Sequence, residues 1–422
     1  YKTIGLPINR LKKEMKEKFE GKEYLELDLE AGEKGYNEVE KEVGLGESNN
    51  DNLKTSTGSE GIAEGALDSG IDCYFAYPMT PATPILHILA GKQFDENMLV
   101  FQPENELGAI NMGLGAAHAG AKAMVGTSGG GYDLMQESMS MQGIAEIPIV
   151  VYLAQRPGPG SGVPTYSTQG DLDIAVKGGH GEYPRVTVAP GDAKESRRLA
   201  NEAFYFAEKF RILSVLLGDK HVAESEYAFE EFEDTLEVKR NIEDQEGGEF
   251  KNYKITDNGN SPRSVSGLTT VKSSSYEHDE MGITTEEIEM VNEMNDKRLR
   301  KTELLKEEVG KFEMYKVHGN ENSDITVVGW GSTKGAILDA IENLDVKFLQ
   351  ILYLRPFPEE VGKILEESRK LILVENNSSG LLGNLIAEKT GVTIPEDNKI
   401  LRYDGRPFES DTLRENIEEK MR

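Results

Sequence analysis

Residues 101–155 constrain the fold more than any other part of this 422-residue chain. They read F-Q-P-E-N-E-L-G-A-I-N-M-G-L-G-A-A-H-A-G-A-K-A-M-V-G-T-S-G-G-G, then a helix-like segment, then I-P-I-V-V-Y-L-A-Q. Glu106 opens a helix rich in alanine and glycine. An apolar strand at 123–127 follows and runs into a glycine turn at 127–131. That order puts one acid and one glycine-lined loop at the same end of an α/β sheet, the end at which open α/β sheets bind ligands.

The same rhythm extends over 54–220. Helical patterns at 58–69, 134–144 and 193–209 alternate with strand patterns at 73–77, 98–102, 123–127, 148–154 and 185–188. Alternation of this kind predicts a doubly wound α/β domain on a parallel sheet. Residues 221–320 break the rhythm. Positions 224–249 hold eleven acidic and two basic residues, and 286–316 predicts one long charged helix. This region reads as an acidic connector that wraps or extends. A second, smaller α/β domain is predicted at 321–422, with strands at 324–329, 346–353, 371–375 and 399–402 and a helix at 333–343. Residues 1–53 are charged, with an amphipathic helix expected at 11–19 and a polar linker at 47–52. They read as an arm or as the remnant of an upstream domain.

Composition removes several function classes. A net charge of −28 argues against binding nucleic acid or an anionic membrane surface. The longest apolar run, 147–154, is far short of a membrane span, no signal peptide is visible, and a cytoplasmic location is expected. The one cysteine, Cys73, lies in an apolar run and reads as a small core residue. A single cysteine rules out an internal disulfide and any cysteine-ligated iron–sulfur cluster or zinc site built by this chain alone. No metal ligands are singled out.

Four motifs sit where strands end. Glu106 has two readings from position alone: a first-turn acid favoured by the helix dipole, or a buried carboxylate that hydrogen-bonds a ligand's ring nitrogen. The small residues Gly108, Ala109, Gly113, Gly115, Ala116 and Ala117 let another surface come close. In Tyr77-Pro78-Met79-Thr80-Pro81, two prolines stiffen the backbone and hold the Thr80 hydroxyl at the ligand-binding edge. Arg156 follows a fully apolar strand and opens Pro157-Gly158-Pro159-Gly160-Ser161-Gly162-Val163-Pro164-Thr165; its planar guanidinium suits a carboxylate. Gly329-Trp330-Gly331-Ser332-Thr333-Lys334-Gly335 suggests a phosphate loop at first sight. It lacks the Walker pattern, and no acid lies at 346–353, so a structural strand-to-helix turn is the better reading.

Together, Y-P-M-T-P, Q-P-E-N-E-L-G-A-I-N-M-G-L-G-A, G-T-S-G-G-G-Y-D-L-M-Q-E and A-Q-R-P-G-P-G-S-G-V-P-T resemble the α subunit of the 2-oxoacid:ferredoxin oxidoreductases. Residues 324–334, L-R-P-F-P at 354–358 and V-E-N-N at 374–377 resemble its second domain, and E-H-D-E-M-G at 277–282 resembles the connector of the 2-oxoglutarate branch. The resemblance covers roughly 54–422. It implies a thiamine-diphosphate-binding, pyrimidine-type domain at 54–220, a transketolase C-terminal-like domain at 321–422, and a γ-type remnant at 1–53. Glu106 matches the glutamate that contacts N1′ of the aminopyrimidine. Thr80 matches a threonine near the substrate, Arg156 the arginine that holds the 2-oxoacid carboxylate, and Thr165 a polar contact beside it. Tyr77, Pro78, Ser128 and Gly129 match residues that approach the cofactor. Met79, Gly130, Pro157, Gly160 and Ser161 depart from the family pattern, which bears on substrate preference more than on the reaction.

No G-D-G followed by paired asparagines is present for Mg²⁺ and diphosphate. The resemblance therefore implies a β subunit carrying the diphosphate site, Mg²⁺ and a 4Fe–4S cluster, in an αβ or (αβ)2 assembly that reduces ferredoxin. The implied reaction is CoA-dependent oxidative decarboxylation, with 2-oxoglutarate converted to succinyl-CoA. Pyruvate or branched-chain specificity, a non-oxidative or lipoamide-linked thiamine enzyme, and a non-catalytic scaffold are the alternatives.

Overall fold

Seven short segments form one sheet in the order Tyr353–Arg355, Arg185–Val188, Leu213–Asp219, Ile149–Gln155, Ala123–Thr127, Cys73–Ala76, Leu99–Phe101. All neighbours run parallel except the edge strand Tyr353–Arg355, which pairs antiparallel with Arg185–Val188. The two central strands, Ile149–Gln155 and Leu213–Asp219, are buried at every residue, as expected of strands covered on both faces. This is a computed structural model; it describes residues 1–44, 52–244 and 249–422. The described chain divides into two compact units, Tyr1–Leu53 and Lys54–Arg422.

Alternation along the strands sorts the core into two layers. Val125, Ile149 and Val151 meet Ala109, Ile110 and Leu114 of helix Glu106–His118 and Met135 and Met139 of helix Gly129–Ala145. Met124, Val150 and Tyr152 face the other way, towards Ile62 and Ala66 of helix Gly58–Asp68, Ile85 and Leu89 of helix Thr83–Lys92, and Leu199 and Phe206 of helix Ala193–Phe210. Helices Gly58–Asp68 and Ala193–Phe210 touch backbone to backbone. A methyl group on Gly65 would lie 2.2 Å from the carbonyl oxygen of Arg197, so only glycine fits that crossing. A capping box of Thr57 and Glu60 starts the first of these helices.

The second sheet has the order Lys399–Leu401, Lys370–Glu375, Ile325–Trp330, Lys347–Ile351, Tyr315–Gly319, parallel except for its last strand. Trp330, Leu349 and Ile351 share a core with the first sheet's Leu217 and Val215. The architecture is α/β, with parallel-rich sheets.

The structure corrects several sequence expectations. The expected glycine turn at 127–131 is the start of helix Gly129–Ala145, five residues before its predicted beginning. The strand Leu213–Asp219 was not anticipated and lies at the centre of the larger sheet. The expected strand at 346–353 breaks at Leu352, and its two halves join different sheets. The long helix ends at Val309, ahead of an unanticipated strand at Tyr315–Gly319. Cys73 is only partly buried.

In the first unit, helix Ile8–Lys18 packs on helix Leu25–Glu38, with Met15 against Gly32 and no residue of either helix fully buried. Residues 47–51 of the expected linker and 245–248 of the acidic stretch lie outside the described residues. The described part of 221–320 is more than surface decoration. Tyr253, His278, Met294, Lys297 and Lys301 are fully buried, and helix Ile288–Val309 is anchored by Lys297 and Lys301 on Glu146.

Candidate active site

Four adjacent strands of the larger sheet deliver the sequence-predicted residues to one edge. Ile149–Gln155 ends at Arg156, Ala123–Thr127 at Ser128, Cys73–Ala76 at the Tyr77–Thr80 segment, and Leu99–Phe101 leads through a short loop to Glu106. The strands are parallel, so all four chain ends emerge on the same side.

Glu106 is the first residue of its helix. Asn105 caps that helix, its side-chain oxygen accepting from the Gly108 amide at 2.8 Å. With its cap supplied by Asn105, the Glu106 side chain is free to turn inward, and the residue is 8% exposed. Its carboxylate lies against the first turn of helix Gly129–Ala145. A methyl group built on Gly131 would sit 2.5 Å from Glu106 Cγ, 3.0 Å from its Oε1 and 2.2 Å from Thr127 Oγ1. The acid therefore stands at the amino ends of two helices, where their dipoles favour negative charge. It accepts no side-chain hydrogen bond from the described residues, which leaves it available to a ligand.

Thr127 and Met79 join the neighbouring motif: Thr127 Oγ1 lies 3.8 Å from Met79 Sδ and 3.3 Å from the Ser128 carbonyl oxygen. Arg156 Nη1 donates to the backbone carbonyl of Thr80 at 2.9 Å, so two candidate substrate residues are tied together. Thr80 and Pro78 are half-buried and Tyr77 is exposed. Ser128 is fully buried at the N-cap of its helix, yet its hydroxyl caps nothing and has no partner.

Thr165 is not brought into this cluster. It stands exposed on the 157–165 loop, without a hydrogen bond among the described residues. The loop's far end is fastened to residues at the edge of the second sheet. Ser167 N donates to the Gly405 carbonyl at 3.0 Å, Thr168 Oγ1 to that of Asn376 at 2.9 Å, and Gln169 Nε2 to that of Trp330 at 2.7 Å. The glycine motif at 329–335 is structural: Lys334 is held by Asp192 and Glu195.

One residue at this edge escaped the sequence reading. Asp171 stands at the N-cap of helix Leu172–Lys177, where an acid looks ordinary, but its side chain makes no cap bond. Its amide donates to Gln155 Oε1 at 2.9 Å, and its carboxyl faces Gly129, where a methyl would come within 2.7 Å of Oδ2. Burial pushes this carboxyl up to about 6; Asp133 adds to the rise and Arg156 opposes it. No pattern in the sequence distinguishes this turn from a routine cap.

Exposed apolar side chains stand beside the cluster: Tyr77 and Phe101 at the strand ends and Leu107 and Met112 on the Glu106 helix. Among the described residues no group of three or more His, Cys, Asp or Glu could hold a metal ion, and no helix is long and apolar enough to cross a membrane.

The contact of Glu106 with Gly131 carries a prediction. Gly131→Ala keeps the helix but drives a methyl into Glu106 and Thr127. Turnover of the assembled protein is expected to fall about tenfold or more through displacement of a positioned group, with circular dichroism unchanged. Wild-type turnover in this variant would show that the carboxylate does not need its place on Gly131.

A family profile described as pyruvate flavodoxin/ferredoxin oxidoreductase, thiamine diP-bdg, matches residues 64–297. The chain is 33% identical over 441 residues to 2-oxoacid:ferredoxin oxidoreductase 1, subunit alpha, of Sulfurisphaera tokodaii, covering all of this chain and 69% of that one. It is 31% identical over 338 residues to the 2-oxoglutarate synthase subunit KorA of Methanocaldococcus jannaschii, covering 76% of this chain and 87% of the relative. A solved structure of the 2-oxoglutarate:ferredoxin oxidoreductase from Magnetococcus marinus, with 2-oxoglutarate, coenzyme A and succinyl-CoA bound, superposes with a TM-score of 0.88 at 28% identity, covering all of this chain and 76% of that one.

Proposed function

This chain belongs to the family of 2-oxoacid:ferredoxin oxidoreductase α subunits, and from that membership we propose that it builds the aminopyrimidine side of a thiamine diphosphate site shared with a β subunit. The observation that carries this is Glu106: a largely buried residue whose carboxylate has no hydrogen-bond partner among the described residues, at two helix amino ends, beside exposed apolar side chains. A carboxylate so placed fits a ring nitrogen that brings its own N–H. The unpartnered Ser128 hydroxyl and the glycine-only space at Gly131 fit a ligand lying close to the backbone.

Glu106 hydrogen-bonds N1′ of the ring and exchanges a proton there. Arg156, steadied by the Thr80 carbonyl, receives the carboxylate of the 2-oxoacid; the Thr80 hydroxyl, and Thr165 when its loop is covered, supply polar contacts beside it. Tyr77, Pro78, Ser128 and Gly129 form the wall against which the cofactor packs. Thiamine diphosphate, when bound, supplies the electron sink that makes decarboxylation possible.

The β subunit supplies the diphosphate contacts, Mg²⁺ and the 4Fe–4S cluster that passes electrons to ferredoxin. The exposed Leu107 and Met112 beside Glu106 suit burial by that subunit. Residues 54–220 form the pyrimidine-type domain, 221–320 the connector, 321–422 the transketolase C-terminal-like domain, and 1–53 an arm or the end of a γ-type domain. The substrate is 2-oxoglutarate and the acyl acceptor CoA, a reading supported by the kinship with 2-oxoglutarate synthase subunits and by the ligands of the Magnetococcus marinus enzyme. The assembly is αβ or (αβ)2 and works in the cytoplasm.

Co-expression with a cysteine-rich partner chain tests this. The purified complex is expected to carry thiamine diphosphate, which the chain alone does not retain, and to reduce ferredoxin or a viologen dye with CoA and 2-oxoglutarate. Faster turnover of pyruvate or a branched-chain acid would reassign the substrate. Dependence on lipoamide would overturn the ferredoxin reading.

A further inference from the structure

The site holds a second carboxyl group to which the reaction as proposed gives no part. Asp171 occupies the N-cap position of helix Leu172–Lys177 but leaves the cap unmade. Its side chain turns instead to the opposite wall and covers the Cα of Gly129, with Oδ2 2.7 Å and Oδ1 3.0 Å from the position of a β-carbon there. Oδ2 is buried without a hydrogen-bond partner. Gly129 is preceded by Ser128, whose hydroxyl is likewise buried and unpartnered. Two orphaned polar atoms therefore flank one glycine, in a protein that satisfies most of its buried polar groups. The backbone of Asp171 is bound to Gln155, the residue immediately before Arg156. The acid is thus anchored to the strand that presents the arginine and aimed at the helix end beside it.

We propose that Asp171 tunes substrate binding at this site: its carboxyl, held between Gly129 and the strand end that carries Arg156, sets how strongly Arg156 attracts the carboxylate of an incoming 2-oxoacid. This rests on the reading of Arg156 as the carboxylate-binding residue. Charged groups act on Asp171 from two elements. Helix Gly129–Ala145 contributes Asp133, an exposed residue that also accepts from Gln136 Nε2 at 2.6 Å, and the end of strand Ile149–Gln155 contributes Arg156. Burial, with Asp133 adding to it, keeps the Asp171 carboxyl protonated up to about pH 6. Protonated, it leaves the arginine's charge to the substrate and can donate its proton to a substrate oxygen. Ionised, it offsets part of that charge and repels the carboxylate. The sign follows: attraction for the anionic substrate is strongest below about pH 6 and declines as the pH rises through it.

The test uses the assembled α/β complex at constant ionic strength. In the wild type, KM for the 2-oxoacid is expected to rise about three- to tenfold between roughly pH 5.5 and 7.5, the effect of one added charge near the binding group in a partly screened site. The dissociation constant measured by calorimetry on complex freed of thiamine diphosphate should rise in parallel, and kcat should change less. Asp171→Asn keeps the shape and removes the charge. It should hold KM at its low-pH value throughout. Asp133→Asn leaves the pocket intact and should move the inflection to lower pH, so it carries the test if Asp171→Asn fails to fold. A KM profile in Asp171→Asn that keeps the wild-type inflection overturns the proposal, as does an Asp133→Asn inflection that stays in place. A wild-type complex that turns over no 2-oxoacid is a different failure: it overturns the functional reading, while the calorimetric profile still decides whether Asp171 governs carboxylate binding.

Discussion

Glu106→Gln in the assembled enzyme is expected to lower kcat by about 10²- to 10⁴-fold, the range for losing a positioned proton-transfer group. Its melting temperature should fall by no more than about 2 °C, if at all, because the change removes no bond that stabilises the fold. The two halves of that expectation have one cause. The carboxylate accepts no side-chain hydrogen bond from the described residues, so its neutral isostere leaves no partner stranded. Stopped-flow or dye-reduction kinetics alongside a thermal melt measures both. Near-wild-type turnover would remove Glu106 from the chemistry; a large fall in melting temperature would make it a structural residue instead.

The largest effect on stability is expected at the far end of helix Gly129–Ala145, the helix on whose first turn Glu106 rests. Glu146 terminates helix Gly129–Ala145 with φ of 48°, a left-handed cap. Its carboxylate receives Lys297 Nζ at 2.6 Å and also Lys301, and its carbonyl oxygen receives Arg211 Nε at 3.0 Å. All four side chains are buried. Burial alone would raise the Glu146 carboxyl, but Lys297, Lys301 and Arg211 overcome it and hold the group well below the carboxylate range. Glu146→Ala leaves two lysines buried around a missing anion, and about 3–5 kcal/mol of stability should be lost, as when one partner of a buried pair is removed. The pH dependence follows in sign. A carboxyl whose pKa is lowered on folding stabilises above its ordinary value of 4.5, and that contribution fades as the pH falls below it. Urea denaturation at neutral pH and near pH 4 measures both effects. A loss below about 1 kcal/mol at neutral pH would mean that the lysines reach water once the pair is broken, as surface pairs do.

Placing these two acids together shows what helix Gly129–Ala145 does. One end cradles Glu106 on Gly131; the other is clamped by Glu146 to helix Ile288–Val309 of the 221–320 region. A region whose sequence is mostly polar and acidic thus holds the element that positions the candidate catalytic acid. The clamp was hidden in the sequence, because Lys297 and Lys301 look like any charged residues one turn apart on a solvated helix. Their burial depends on what the helix lies against.

What could be read from the sequence alone was local or repeated. Strand–helix alternation specified the α/β class, since each element's apolar pattern reports which of its faces is covered. Glu106 ahead of an alanine- and glycine-rich run marks a helix start, and an arginine directly after an apolar strand marks a sheet edge. These signals need only neighbours in sequence, and the family pattern in 54–422 added order to them. Tertiary structure alone decided the rest. Leu213–Asp219 lies two residues after a long helix, and nothing local places it at the sheet's centre rather than at an edge. The segment around Leu352 has one continuous apolar pattern, yet it serves two sheets, because Tyr353–Arg355 finds a free edge beside Arg185–Val188. Glu106 meets Gly131, and Arg156 meets the Thr80 carbonyl, only because parallel strands bring distant chain ends to one rim. Asp171 looks like a helix cap until its side chain is seen to face Gly129. Sequence carries propensity and periodicity over a few residues. Which buried group faces which is settled by strand order and close packing, whose contacts join residues far apart in the chain.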